Sequence, residues 1–502
     1  MTRKLSLAVT AGLMLLGSAA SAETLRIGLA DDPDVLDPDQ SRTFVGRIVY
    51  TALCDKLIDI DPDLNFVPQL ATAWSWSDDG KALTMKLREG VTFHDGETFN
   101  AAAVKYNIER SKNLPESRRK SEVKSIQSVD VVDAMTVKFN LAAPDATLMA
   151  TLSDRAGMMM SPKAAEAAGA GLGANLVCSG PFKFVERVQQ DRIVGEKFAG
   201  YWNADKIHFD QVIYRTIPDS TVRLANLQAG DLDVLERLSP PDIPTVKADG
   251  KLKLVDVVGL GYQGITINVG NGDKSKTPLG QDARVRKAVE LAIDRVALNQ
   301  VVFDGAHLPG NQFVSPQSQF YAKSVPMPGR DVAKAKALLK EAGLDKFEFE
   351  MQFANNPDAT RAAQVIQAMA AEAGIDIKLR ATEFATMLKE QTAGNYQSTQ
   401  VGWSGRVDPD GNIHTFMTCK GGINDSRYCN PEVDKLLEAA RQTNSLEERK
   451  KLYASAMELL DRDRPIIYLW HPKWIWALRG DIDGYVPYPD AMIRLPGMRK
   501  AS

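Results

Sequence analysis

Apolar and polar positions follow two different periods along this chain. In the first third they alternate: Leu83, Met85 and Leu87 are interleaved with Thr84, Lys86 and Arg88, the period-two pattern of a half-buried antiparallel strand. Asp79-Gly80 just upstream supplies a hairpin turn. Shorter runs at 24–30, 57–60, 126–132 and 136–141 predict further strands, the last two joined by Asp133-Ala134-Met135. Helical patterns cover 44–53 and 101–111, the second opening on Asn100 as N-cap. Together these predict a small antiparallel sheet with helices on one side. Strand patterns then recur at 177–185, 212–217, 253–258 and 265–269, with a helix at 220–228 that stops at Gly230.

From Asp282 to Asp463 the period lengthens. Helices at 282–303, 331–342, 360–373, 384–392, 431–442 and 446–462 alternate with strands at 347–353, 375–380, 398–403 and 466–469. Such alternation predicts an α/β lobe with a largely parallel sheet. Short strands and turns at 474–495 are read as a return to the first lobe. Between the two regions, G-L-G-Y-Q-G (Gly259 to Gly264) matches the G-x-G-x-x-G spacing. It opens the strand-like I-T-I-N-V rather than a helix, so it reads as a flexible crossing and not as a dinucleotide loop.

Residues 1–22 combine Arg3 and Lys4, an apolar run from Leu5 to Leu16, and Ala20-Ser21-Ala22. This is the layout of a cleavable secretory leader, and the run is too short to span a bilayer. No cysteine near the cleavage point offers a lipid attachment site, so a soluble exported chain is expected. The roughly 480 residues that remain exceed one hydrophobic core, which predicts two or more lobes. The formal charge is −3, from 61 basic and 64 acidic residues. No basic patch of the kind nucleic-acid binding needs is visible.

Cys54, Cys178, Cys419 and Cys429 suit an oxidising compartment. Cys419 and Cys429 bracket K-G-G-I-N-D-S-R-Y, a loop that a disulfide would staple, and elimination leaves Cys54 with Cys178. Four cysteines allow three pairings, so the connectivity stays open. Without a C-x-x-C spacing, a metal site is disfavoured.

The candidate binding stretch is 400–412, Q-V-G-W-S-G-R-V-D-P-D-G-N. A strand opens there into a turn carrying Trp403, Arg406, Asp408 and Asp410, and strand ends that open into loops are where rigid scaffolds present binding groups. A Trp face, one guanidinium and two carboxylates grip a small ligand with charged ends by stacking and charge-assisted hydrogen bonds. The competing reading is a solvated surface turn.

Catalytic motifs are not found. His94, His208, His307, His414 and His471 are scattered, with no H-E-x-x-H. Ser404 in G-W-S-G lacks the G-x-S-x-G spacing. The 408–412 run begins like a calcium loop, but Ile413 stands where that loop needs Gly. D-D-P-D-V-L-D-P-D (Asp31 to Asp39) is read as an exposed acidic turn rather than as acid–base machinery.

The stretch A-T-A-W-S-W-S-D-D-G-K-A-L-T-M-K-L-R-E-G-V-T-F-H-D-G-E-T-F-N-A, Ala71 to Ala101, resembles the signature of the extracytoplasmic solute-binding proteins of family 5. These are the peptide, oligopeptide and nickel receptors of ABC importers. V-L-D-P at 35–38, S-G-P-F-K-F at 179–184, D-A-R-V-R-K-A-V-E-L-A-I-D-R at 282–295 and the Trp403 loop extend the resemblance over essentially the whole mature chain. It implies an α/β, two-lobed periplasmic binding protein-like fold with an extra antiparallel subdomain in the N-terminal lobe. The implied boundaries are 23–262 for that lobe, with the subdomain at about 60–175, then 263–470 for the C-terminal lobe and 471–502 returning to the first.

The resemblance further implies a monomeric periplasmic receptor without cofactor or catalysis. Its ligand, most simply a short peptide, sits between the lobes, and hinge closure presents the complex to a membrane permease and its ATPase. Peptide-binding relatives staple a loop after the Trp motif, which supports Cys419–Cys429. They also carry an acidic residue about three positions after the Trp, which pairs with the ligand's amino group; here that position is Arg406. A guanidinium favours a carboxylate or phosphate, so the amine role passes to Asp408 or Asp410. Tyr262 and Gln263, in the crossing region, complete the expected ligand contacts with Trp403. The alternatives are an anionic opine-like or sugar-phosphate-like solute, a metal chelate or heme held beside His414, and, from another class, a secreted two-lobed hydrolase acting through Ser404 or an acid pair.

Overall fold

The computed structural model describes residues 23–501; the leader read at 1–22 lies outside the described residues. Two large sheets form the two lobes. In the first, the strands run in the order Leu252–Val258, Lys473–Arg479, Val234–Leu235, Thr24–Leu29, Gln211–Thr216, Arg192–Lys197, Phe182–Val188. The alternating pattern at the start of the chain puts Leu25, Ile27 and Leu29 in the core of this lobe. Lys473–Arg479 comes from the far end of the sequence and pairs antiparallel with both neighbours.

The second sheet has the order Leu308–Pro309, Ile466–His471, Tyr262–Ile267, Ser398–Trp403, Phe347–Ala354, Ile375–Thr382. Its last three strands are parallel, joined through helices Pro357–Ala371 and Phe384–Thr392. The sheet is therefore mixed and not largely parallel as the alternation implied. Parallel neighbours need a return helix. Tyr262–Ile267 and Ile466–His471 instead carry the chain into and out of the lobe, so they pair antiparallel.

The helix expected at 282–303 is also two helices, Ala283–Ala292 and Arg295–Phe303. Ile293 is extended, and the Asp294 carboxylate accepts hydrogen bonds from the Val296 and Ala297 amides, starting a new helix. Similarly, the helix expected from 360 begins at Pro357, because Asn356 caps the Ala359 amide and proline fits the first helical position.

An antiparallel sheet of Ala71–Trp76, Ala82–Leu87, Thr136–Leu141 and Ile126–Asp133 stands on the first lobe with its own core, which includes Leu83, Met85, Val104 and Phe139. Gly80 turns the first hairpin at φ +66°, and the Asn100 side chain accepts from the Ala103 amide. Disulfides join Cys54 to Cys178 and Cys419 to Cys429.

The lobes are linked at 259–261 and at Pro472. The Gly259 amide donates to the Pro472 carbonyl (3.0 Å), so the two crossings are tied side by side. A Cβ on Gly261 would lie 1.8 Å from the Trp403 carbonyl oxygen, and one on Gly259 would lie 2.4 Å from Trp474 Nε1. Close packing at the crossing, and not phosphate binding, explains these glycines.

The acidic run at 31–39 is not an exposed turn. Asp31, Asp32, Asp37 and Asp39 are buried. Asp31 pairs with Arg237, Asp32 with Arg187, and Asp37 and Asp39 both with Arg110. Buried carboxylates require such partners, and each arginine lies more than seventy residues away, where no local pattern reveals it.

Candidate functional site

The carboxyl ends of strands in both lobes converge on one cavity of about 180 Å³. From the first lobe it is walled by Asp31, Phe44, Arg237 and Pro240, from the second by Asn356, Asp358, Trp403 and Trp470, and from the second crossing by Lys473 and Trp474. Ligands of open α/β sheets bind at such strand ends. Aromatic rings form part of the wall: Phe44 and Trp474 stack at 4.8 Å, and Arg237 lies over the Phe44 ring at 5.4 Å.

Charge is concentrated on a few groups. Arg237 Nη2 meets Asp31 Oδ2 at 2.5 Å, and its Nε is paired with Glu236. Arg237 is also one of the few non-glycine residues in left-handed backbone, at φ +53°, a strain that typically marks binding sites. Asp358 accepts from the Ser239 hydroxyl across the cleft (2.7 Å) and from Arg361. Burial lowers the His307 pKa to about 4, so this cavity-lining imidazole is neutral near pH 7. The same holds for His471, whose Nδ1–H donates to the Gly261 carbonyl at 2.7 Å and steadies the crossing.

The lobes are in contact around the cavity. Arg42 Nη1 reaches Asp425 Oδ2 at 2.6 Å, Arg47 Nη1 donates to Ser404 Oγ at 3.0 Å, and Arg441 donates to the Ser121 carbonyl at 3.1 Å.

The structure separates the sequence candidates. Trp403 ends its strand in the cavity wall, edge-on to Phe416 at 4.8 Å. Gln263 also lines the cavity, lying over Gly402, where a Cβ would approach its Nε2 to 2.2 Å. Tyr262 is packed in the core edge-on against Tyr468 at 4.8 Å. Arg406 stacks over the Trp403 ring at 4.1 Å and its Nε pairs with Asp154 of the first lobe. Asp408 is gripped by both terminal nitrogens of Arg449 at 2.6 and 2.8 Å, and Asp410 by Arg441 at 2.6 Å. Burial outweighs Arg449 and raises the Asp408 pKa, whereas Arg441 and His414 together overcome burial and lower that of Asp410. Arg406, Asp408 and Asp410 line a second, smaller cavity of about 30 Å³, which Trp403 also borders.

Sequence reading did not find Asp31, Phe44, Arg237, Asn356, Asp358, Trp470 and Trp474. Only Asp31 lay in a stretch that drew notice. Of the others, Arg237, Trp470 and Trp474 stand in or just beyond strands, whereas Phe44, Asn356 and Asp358 stand at the N-terminal ends of helices.

Residues 65–424 match the family model described as bacterial extracellular solute-binding proteins, family 5 Middle. The chain is 30% identical to the dipeptide-binding protein of Escherichia coli (strain K12), over 97% of this chain and 96% of that one. It is 30% identical to the glutathione-binding protein GsiB of Pectobacterium atrosepticum, over 91% and 90%. A crystal structure of a dipeptide-binding protein from Pseudoalteromonas sp. SM9913 in complex with Met-Leu superimposes with a TM-score of 0.88, at 25% identity, covering 95% of this chain and all of that one.

Proposed function

We propose, because this chain belongs to family 5 of the bacterial extracellular solute-binding proteins, that it captures short peptides in the cleft between its lobes and hands them to the permease and ATPase of an ABC importer. It works as a monomer in the periplasm, reached through the leader at 1–22, and releases its solute chemically unchanged.

The observation that carries this reading is the cavity at the carboxyl ends of both sheets. Its volume of about 180 Å³, little more than the roughly 150 Å³ cavity that admits benzene in an engineered protein, favours a small solute over an extended oligopeptide. Trp403 and Gln263 contact the solute from one lobe and Phe44 from the other, while Asp31 and Asp358 offer carboxylates to its ammonium group. Hydrolysis is disfavoured because Ser404 Oγ is bonded to the guanidiniums of Arg47 and Arg406, which accept no proton from a nucleophile.

The test is native mass spectrometry of protein exported and purified with its solute, followed by denaturing release. A set of dipeptide masses is the expected result. A single non-peptide compound, or a cleaved product that accumulates on incubation, overturns the reading.

A further inference from the structure

Among the described residues, two largely buried ion pairs cross between the lobes beside the Trp403 loop, and they are built differently. Arg42 of the first lobe meets Asp425 of the second at 2.6 Å, one cation to one carboxylate. Arg406 of the second lobe instead enters a group that the first lobe has already paired within itself. There Asp154 meets Arg47 at 2.9 Å and Arg155 at 3.8 Å, while Glu122 is paired with Arg119 at 2.5 Å. Arg406 Nε contacts that same Asp154 carboxylate. The side chains of Arg47, Arg155, Arg406 and Asp154 are nine-tenths withdrawn from water or more.

Closure treats the two partners of the Arg406 pair unequally. Asp154 gains little, because Arg47 and Arg155 belong to its own lobe and stay with it when the cleft opens. Arg406 gives up water for a carboxylate already in use and comes to lie beside two like charges. Its Nη1 donates to the Gly405 carbonyl at 2.8 Å, a bond within its own turn, and its Nη2 is buried with no hydrogen-bond partner among the described residues. Stacking over Trp403 at 4.1 Å is likewise available within the second lobe. Burial, with Arg47 and Arg155 nearby, holds the Arg406 pKa well below the ordinary arginine value against the pull of Asp154. The attraction in a buried ion pair offsets desolvation only where geometry is excellent and the remaining donors are bonded; here a donor is left over.

We propose that Arg406 opposes closure: it biases the solute-free receptor towards the open form and thereby limits how tightly the solute is held. A receptor that hands its solute on must also let it go, and a guanidinium that regains water on opening favours release. Removing the charge leaves Asp154 with its two arginines, so the closed form loses no partner it needs. This inference rests on the proposed capture of a solute by closing lobes and adds which residue works against the closing.

The test compares the exported full-length protein with Arg406→Met, which keeps an apolar stem on Trp403 without the charge, and Arg406→Lys, which keeps a charge there. Small-angle X-ray scattering of the three proteins freed of solute gives the closed fraction of each. The expected result is a wild-type protein largely open, a closed fraction that rises in Arg406→Met, and one that stays nearer to wild type in Arg406→Lys. In a thermal-shift titration with a pool of dipeptides, the concentration for half the full response should fall by about tenfold in Arg406→Met, and much less in Arg406→Lys. If Arg406→Met does not fold, Arg406→Gln, equally neutral, takes its place in both measurements. A wild-type protein already closed without solute, or a neutral variant no more closed than wild type, overturns the inference; a neutral variant more open than wild type overturns it in favour of a latch. An unchanged half-point in the titration also overturns it. If no variant responds to the pool, peptide capture fails instead, and the scattering alone decides the inference.

Discussion

Asp408 and Asp410, on one side of the Trp403 loop, each meet one arginine in near-ideal geometry. On the other side Asp154 is shared among Arg47, Arg155 and Arg406. All of these side chains are withdrawn from water, so the difference is one of charge balance and not of solvation. Closed pairs hold the loop in shape: Arg449 and Arg441 tie it to helices Leu446–Asp463 and Pro431–Arg441 within the second lobe. The open, positively charged group lies where the two lobes meet. A rigid loop thus presents Trp403 and Arg406 to a surface that is electrostatically incomplete.

Breaking a closed pair should have the largest effect. Arg441→Gln leaves Asp410 buried without its cation and is expected to lower unfolding stability by about 3–5 kcal/mol, measured by urea denaturation. Next is the Cys419–Cys429 staple, which carries Asp425 to its partner Arg42 in the first lobe. Replacing both cysteines by alanine should cost about 2–3 kcal/mol in the chain-entropy description of a loop this short, with the loss seen in the same titration under non-reducing conditions.

The comparison becomes sharpest at Arg155. Because Asp154 keeps Arg47 and Arg406, Arg155→Gln removes surplus charge and loses mainly one hydrogen bond to the Ser41 carbonyl (2.8 Å). A change of about 1 kcal/mol or less is expected. A loss as large as that of Arg441→Gln would mean that the cluster is not under-compensated.

The smallest effect is a change of slope with pH. The folded pKa of Asp410 lies below the ordinary 3.8, so its pairing stabilises the fold above that value and the contribution is lost as the pH falls through it. Asp408 has the opposite sign, its folded pKa being raised; the folded state takes up its proton first, and the stability linked to it declines as pH rises from about 4. Asp410→Asn should therefore flatten the loss of stability below about pH 4, whereas Asp408→Asn should steepen it, in urea titrations between pH 3 and 6.

What the sequence determined by itself was mostly local. Period-two alternation located Ala82–Leu87 and its hairpin, and the strand Ser398–Trp403 and helix Phe384–Thr392 fall where the pattern put them. These depend on neighbours a few residues apart, so a linear reading suffices. The family motifs identified the two-lobed fold, and Trp403 and Gln263, which line the cavity, stand at a strand end and a crossing that are visible in one dimension.

Tertiary structure alone decided the electrostatics. That Asp408 and Asp410 are held by arginines 41 and 31 residues downstream, respectively, and Arg406 by an aspartate in the other lobe, follows from packing distant helices against one turn. The same holds for the run at 31–39, whose polarity suggested solvent until partners from Arg110 to Arg237 buried it. A charged residue is read from sequence as solvated because nearly all are. Whether it is instead buried and paired depends on which chain segments fold over it.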